Sequence, residues 1–128
     1  MSREEWCGKL FESIDAKCAR QFVSFLTPDA RFRYGSAPVV QGEAAITAAL
    51  EQFFASVRSL SHRVLELWEL PGHLVCRGEV SYQRLDGSCV RLPFCNVFTM
   101  RGEKIAGYDI YIDPTPLVST LAPRAQSL

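Results

Sequence analysis

Apolar residues recur at three- and four-residue steps from Arg3 to about Leu26, at Trp6, Leu10, Ile14, Phe22, Phe25 and Leu26, with Cys7, Phe11 and Cys18 widening the stripe. That spacing predicts helix with a broad buried face. The Asp15-Ala16 step is a candidate break into two helices. Thr27-Pro28-Asp29 ends the run, because a residue before proline is biased away from the α region. Alternation then replaces helical spacing in Ala30-Arg31-Phe32-Arg33-Tyr34, a short strand with Phe32 and Tyr34 on one side, closed by Gly35-Ser36-Ala37-Pro38. From Glu43 to about Val57 the pattern is helical again, alanine-rich, with Ile46, Leu50, Phe53 and Phe54 on one face and an acid in the first turn.

Leu60 to Asp113 reads as sheet in four segments, divided at Pro71-Gly72, Asp86-Gly87 and Arg101-Gly102-Glu103, each a hairpin signal. Four hairpin-linked strands make an antiparallel meander. The tail from Pro114 to Leu128, with three prolines, reads as a docked irregular segment that frays toward its end. Helices, a strand, a helix and then a run of strands predict one α+β domain over residues 1–128, with helices covering one face of a sheet that curls as it twists. The hollow between the layers suits a ligand.

Composition narrows the function classes. With 48% hydrophobic residues among 128, one core can be filled. Fourteen basic residues balance fourteen acidic ones without a run of either sign, which argues against nucleic acid or an anionic membrane as partner. Acids at Glu4 and Glu5 and the lack of a long apolar run predict a soluble, cytoplasmic protein. Cys7, Cys18, Cys76, Cys89 and Cys95 form no Cys-x-x-Cys pair or Cys/His cluster, so reduced structural thiols are expected, with no metal and no cofactor.

The order of these features resembles the nuclear-transport-factor-2-like superfamily, and within it the SnoaL-like group. The resemblance is carried by Ile14-Asp15-Ala16, Phe25 to Phe32, Gly42-Glu43-Ala44-Ala45-Ile46, Gly87, Leu92-Pro93-Phe94, Asn96-Val97-Phe98, and Lys104-Ile105-Ala106 leading to Tyr108 and Asp113. It implies a cone-shaped curved sheet packed against N-terminal helices, a cystatin-like α+β roll. Function is specified poorly, because such folds serve ketosteroid isomerases, epoxide hydrolases, polyketide cyclases and non-catalytic binders. The positions that hold a tyrosine, a carboxylate base and a protonated aspartic acid in ketosteroid isomerases align with Leu10, Tyr34 and Asn96. The last-strand aspartate of limonene-type epoxide hydrolases aligns with Ile110. Arg77 and Glu79 have the spacing of that enzyme's arginine and aspartate, but Cys76, Val80 and Tyr82 make the opposite face more apolar and place the charged pair outside.

Leu92, Phe94, Asn96 and Phe98 share a strand face, with Asn96 as its polar interruption; it either fixes the core or meets a ligand. His62 shares a face with Val64, Glu66 and Trp68, where it is either structural or a general base oriented by Glu66. Tyr34, Tyr82 and Tyr108 offer hydroxyls above apolar rings. On the last strand the apolar alternation puts Tyr108, Ile110 and Ile112 inside and Asp109, Tyr111 and Asp113 outside; the opposite parity would make Asp109 the candidate base.

The expectation is therefore a pocket for a small apolar or aromatic molecule, lined by Tyr34, His62, Trp68, Tyr82, Asn96 and Tyr108. Turnover of such a molecule by isomerisation, cyclisation or hydrolysis is the alternative. A ligand-free interaction module is the third reading. Val97 and Thr99 beside Tyr111 leave the outer sheet face partly apolar, which suits a homodimer.

Overall fold

The computed structural model describes residues 1–118. The first helical stretch does divide where Asp15-Ala16 signalled a break. Helix α1 spans Arg3–Asp15 and opens on a capping box in which the Ser2 hydroxyl accepts from the Glu5 N–H (3.1 Å) and the Glu5 carboxylate accepts from the Ser2 N–H (2.9 Å). Lys17 adopts φ 57°, and the Cys18 N–H turns back to the Ser13 carbonyl (2.9 Å), ending α1 before the short α2 (Ala19–Val23).

The chain becomes extended earlier than the proline rule suggested. Strand β1 covers Leu26–Tyr34, so Thr27 and Pro28 lie within a strand instead of only stopping a helix. A two-residue strand β2 (Val40–Gln41), too short to register as alternation, pairs with β1 at the sheet edge. Gly42 at φ 93° then turns the chain directly into α3 (Glu43–Ser56), a backbone angle that side chains disfavour.

Strands β3 (Val57–Leu70), β4 (His73–Arg84), β5 (Cys89–Arg101) and β6 (Lys104–Ile112) form the antiparallel meander. The six-stranded curved sheet runs β2-β1-β6-β5-β4-β3 and is not closed into a barrel. Its β1–β6 pair is parallel, because the first strand returns to the far side of the last one. The hairpin pattern carried no information about that pairing.

Alternation holds through most of the sheet. Leu74, Cys76, Val80 and Tyr82 of β4, Leu92, Phe94, Asn96 and Phe98 of β5, and Tyr108 of β6 are buried against α1, α2 and α3. Those helices contribute Trp6, Leu10, Phe11, Phe22, Ile46, Leu50 and Phe54 to the same core. Arg77 lies outside and pairs with the half-exposed Glu66, so the face assigned to Arg77 and Glu79 is the observed one.

One irregularity breaks the parity. Register shifts between Val64 and Glu66 of β3, opposite Gly78 and Arg77, leaving Leu65 as the extra residue of a bulge. Before it Leu60 and His62 turn inward; after it Leu67 does, and Trp68 is 43% exposed. A one-residue insertion exchanges the faces of everything beyond it. The tail, expected to be irregular from Pro114, instead forms a short helix α4 (Thr115–Val118) with Leu117 buried; residues 119–128 lie outside the described residues.

Candidate functional site

A cavity of about 220 Å³ opens between α3, α1, α2 and the inner sheet face. Its walls run from exposed Ala37 and Pro38 beside β2 inward to Phe22, Phe32, Leu50, Phe54 and Leu60. Polar groups enter from few places: Tyr34, His62, Tyr82 and Tyr108.

Tyr34 and Tyr82 reach each other across the hollow, with hydroxyl oxygens 3.1 Å apart, and Phe53 packs on both rings. Burial pushes both phenols above their ordinary range, and the fully buried Tyr108 is raised for the same reason. All three therefore stay protonated around neutral pH and act as hydrogen-bond donors and acceptors. None is a base.

Asn96 sits behind Tyr108, outside the cavity wall. Its amide donates to the Tyr108 hydroxyl at 3.5 Å, while its buried Oδ1 has no partner among the described residues. This places it in the core, holding the Tyr108 hydroxyl in position. Trp68 is also outside the wall: the β3 bulge sends it to the outer face, which corrects its place among the expected lining residues. Asp109 faces outward with Arg33, its partner on β1, and away from the cavity.

His62 is inward, as expected, but its carboxylate partner is not Glu66. Asp15, the last residue of α1, faces the ring Nδ1 at 2.6 Å and accepts from the His62 backbone N–H at 3.0 Å. Phe11 stacks on the imidazole at 4.6 Å, and Phe94 meets it edge-on at 5.5 Å. The sequence marked Asp15 only as a helix interruption. A contact across 47 residues has no local signature; the one available hint was an acid ending a helix, where the dipole disfavours it. Among the described residues, no three His, Cys, Asp or Glu side chains group as a metal site. No helix among them is long and apolar enough to cross a membrane.

A curved sheet wrapped on N-terminal helices around one apolar hollow defines the nuclear-transport-factor-2-like class of α+β domains. Within it the chain belongs to the SnoaL-like domain family, whose pattern matches residues 8–108. Among solved structures, it is similar to an NTF2-like protein of unknown function from Burkholderia pseudomallei, with TM-score 0.82 and 14% identity over 92% of this chain and 96% of that one. A protein described as a SnoaL-like polyketide cyclase, from Jannaschia, gives TM-score 0.79 and 15% identity over 93% and 90%. TerC, crystallised with polyporic acid, gives 0.77 and 19% over 88% and 92%. At these identities the likeness is one of fold. No curated protein matches the sequence significantly.

Proposed function

We propose that this protein binds a small, mostly apolar or aromatic molecule in the cavity between α3 and the sheet. The observation that carries the reading is an open, apolar space of about 220 Å³ whose wall includes three tyrosines and one imidazole among otherwise apolar side chains. Apolar walls supply affinity by excluding water, and a few placed polar groups orient the occupant. Open space also weighs against a closed interaction module, in which aromatic side chains would fill the hollow. The co-crystal of TerC with polyporic acid is in keeping with a fold whose members take up small molecules.

A thermal-shift screen of steroid-, polyketide- and terpenoid-like compounds tests this. Ala49, a small residue in the cavity wall, is the place to block it. Hits should raise the melting temperature of the parent protein, and Ala49→Trp should bind them at least about tenfold more weakly while remaining folded. Undiminished binding by a folded Ala49→Trp variant would place the site elsewhere.

Isomerisation, cyclisation or hydrolysis of the bound molecule is the second reading, favoured by the carboxylate-held His62 in the wall. Asp109, on the outer face, takes no part in it.

The outer sheet face is assigned to a second copy of the chain. Trp68, Val75 and Val97 are direct neighbours across β3, β4 and β5, forming an apolar row, and Tyr111 is 62% exposed on the same face. Sedimentation velocity should show a dimer that Trp68→Glu dissociates without weakening cavity ligands more than about twofold. A parent protein that stays monomeric at high micromolar concentration contradicts the assignment.

A further inference from the structure

We infer that Asp15 and His62 form the proton-accepting end of the cavity, and that its occupant is an aromatic or enolic molecule whose acidic hydroxyl gives its proton to His62 Nε2. This rests on reading the cavity as a ligand site and adds the chemical class of the ligand.

The pair departs from what helix α1 needs. Asp15 ends that helix, where aligned peptide dipoles leave partial negative charge, and its last turn holds no basic residue. A carboxylate there is offset by the two groups it meets on β3, the His62 N–H and ring Nδ1. Local preference is sacrificed for one contact with an imidazole, as is common where a site is being built.

That contact fixes the chemistry of the ring. A carboxylate only accepts, so Nδ1 carries its hydrogen, and in the neutral imidazole the lone pair is left on Nε2. Phe11 and Phe94 restrain the ring plane. Nε2 meets no hydrogen-bond partner among the described residues, yet the side chain keeps 11% exposure and forms part of the cavity wall. A second groove, between α1 and β3, is bordered by Asp15 and also by His62, so the imidazole stands between that groove and the cavity. The other titratable groups of the wall are Tyr34, Tyr82 and Tyr108, which burial keeps protonated. His62 is thus the one side chain of the described wall whose lone pair can take a proton, and the tyrosines are the other polar residues of that wall.

The step balances simply. The ligand O–H bond breaks, an Nε2–H bond forms, and the electron pair stays on oxygen. The imidazolium lies beside the Asp15 carboxylate. Tyr82 is a diagonal neighbour of His62 on the same sheet face, pairing with Leu60 two residues away, and the paired Tyr34 and Tyr82 hydroxyls hold a hydrogen that can turn to the aryloxide or enolate. Asp15 acts as the positioning residue for the ring.

The test compares 4-nitrophenol with its methyl ether, 4-nitroanisole, at a pH below the phenol's own pKa in water. The wild-type protein should bind both, show the phenolate absorption band with nitrophenol only, and prefer the phenol by about tenfold or more, the scale of a charge-assisted hydrogen bond. His62→Asn keeps an amide N–H to donate toward Asp15, while its carbonyl oxygen can accept a hydrogen bond but cannot take the proton as Nε2 does. It should lose the band and the preference for the phenol over the ether, with circular dichroism showing that it is folded. Asp15→Asn should reduce both the band and the preference for the phenol over the ether. Equal binding of phenol and ether, or a phenolate band that survives His62→Asn, overturns the inference and leaves the cavity reading intact. Binding of neither probe contradicts both.

Discussion

Replacing Gly78 with alanine should destabilise the protein by roughly 3 kcal/mol or more, beyond the usual cost of an added methyl in a packed region. A Cβ at Gly78 would lie 2.0 Å from the Arg63 carbonyl oxygen and 3.0 Å from the Arg63 carbonyl carbon and Val64 Cα. These are backbone atoms of the neighbouring strand, so no side chain can swing aside. Relief requires moving β3 at its bulge, and that bulge sets which residues beyond it face the core. Undoing it would turn Leu67 out and Trp68 in. Gly8→Ala is the control, since nothing lies within 4 Å of its added carbon in the middle of α1. It should stabilise by about 0.5–1 kcal/mol through helix propensity. Denaturant midpoints measure both, and a Gly78→Ala variant within about 1 kcal/mol of the parent would show that the strands are less closely apposed than described.

Phe98→Ala should cost about 3–5 kcal/mol and lower the melting temperature by roughly 10–20 °C. Phe98 is fully buried and joins helix to sheet: Trp6 of α1 packs edge-on at 6.0 Å and Tyr108 of β6 at 4.6 Å. Removing the ring leaves a void that neither a helix nor a paired strand can close. The loss should also reach the cavity, because Tyr108 is a wall residue. Calorimetry reads the stability, and ligand titration at a temperature where the variant is folded reads the wall. A cost under about 1.5 kcal/mol would mean that the core collapses around the gap.

Much of this arrangement was legible in the residues themselves. The α1 break at Asp15-Ala16, α3, the three hairpin turns, the inward row of β5 and the outward Asp109 of β6 all follow from local period and turn chemistry. These features depend on neighbours in sequence. The missing parts depend on neighbours in space. Alternation carried past Val64 assigned Trp68 to the cavity, because a bulge changes parity without changing composition. It paired His62 with Glu66, which in the fold serves Arg77, and overlooked Asp15, delivered from a helix end. The parallel β1–β6 pair likewise appears only when the sheet is assembled. Of the residues expected around a ligand, Tyr34, His62, Tyr82 and Tyr108 do share one hollow.

Whether that hollow is a binding site is tested most directly by mapping amide chemical-shift changes while titrating a thermal-shift hit into the isotope-labelled protein. The account predicts saturable changes at Leu50, Phe53, Leu60, His62 and Tyr82 around the cavity, with Val75, Val97 and Tyr111 on the outer sheet face unmoved. Changes confined to the outer face, with the cavity residues silent at saturation, would contradict it.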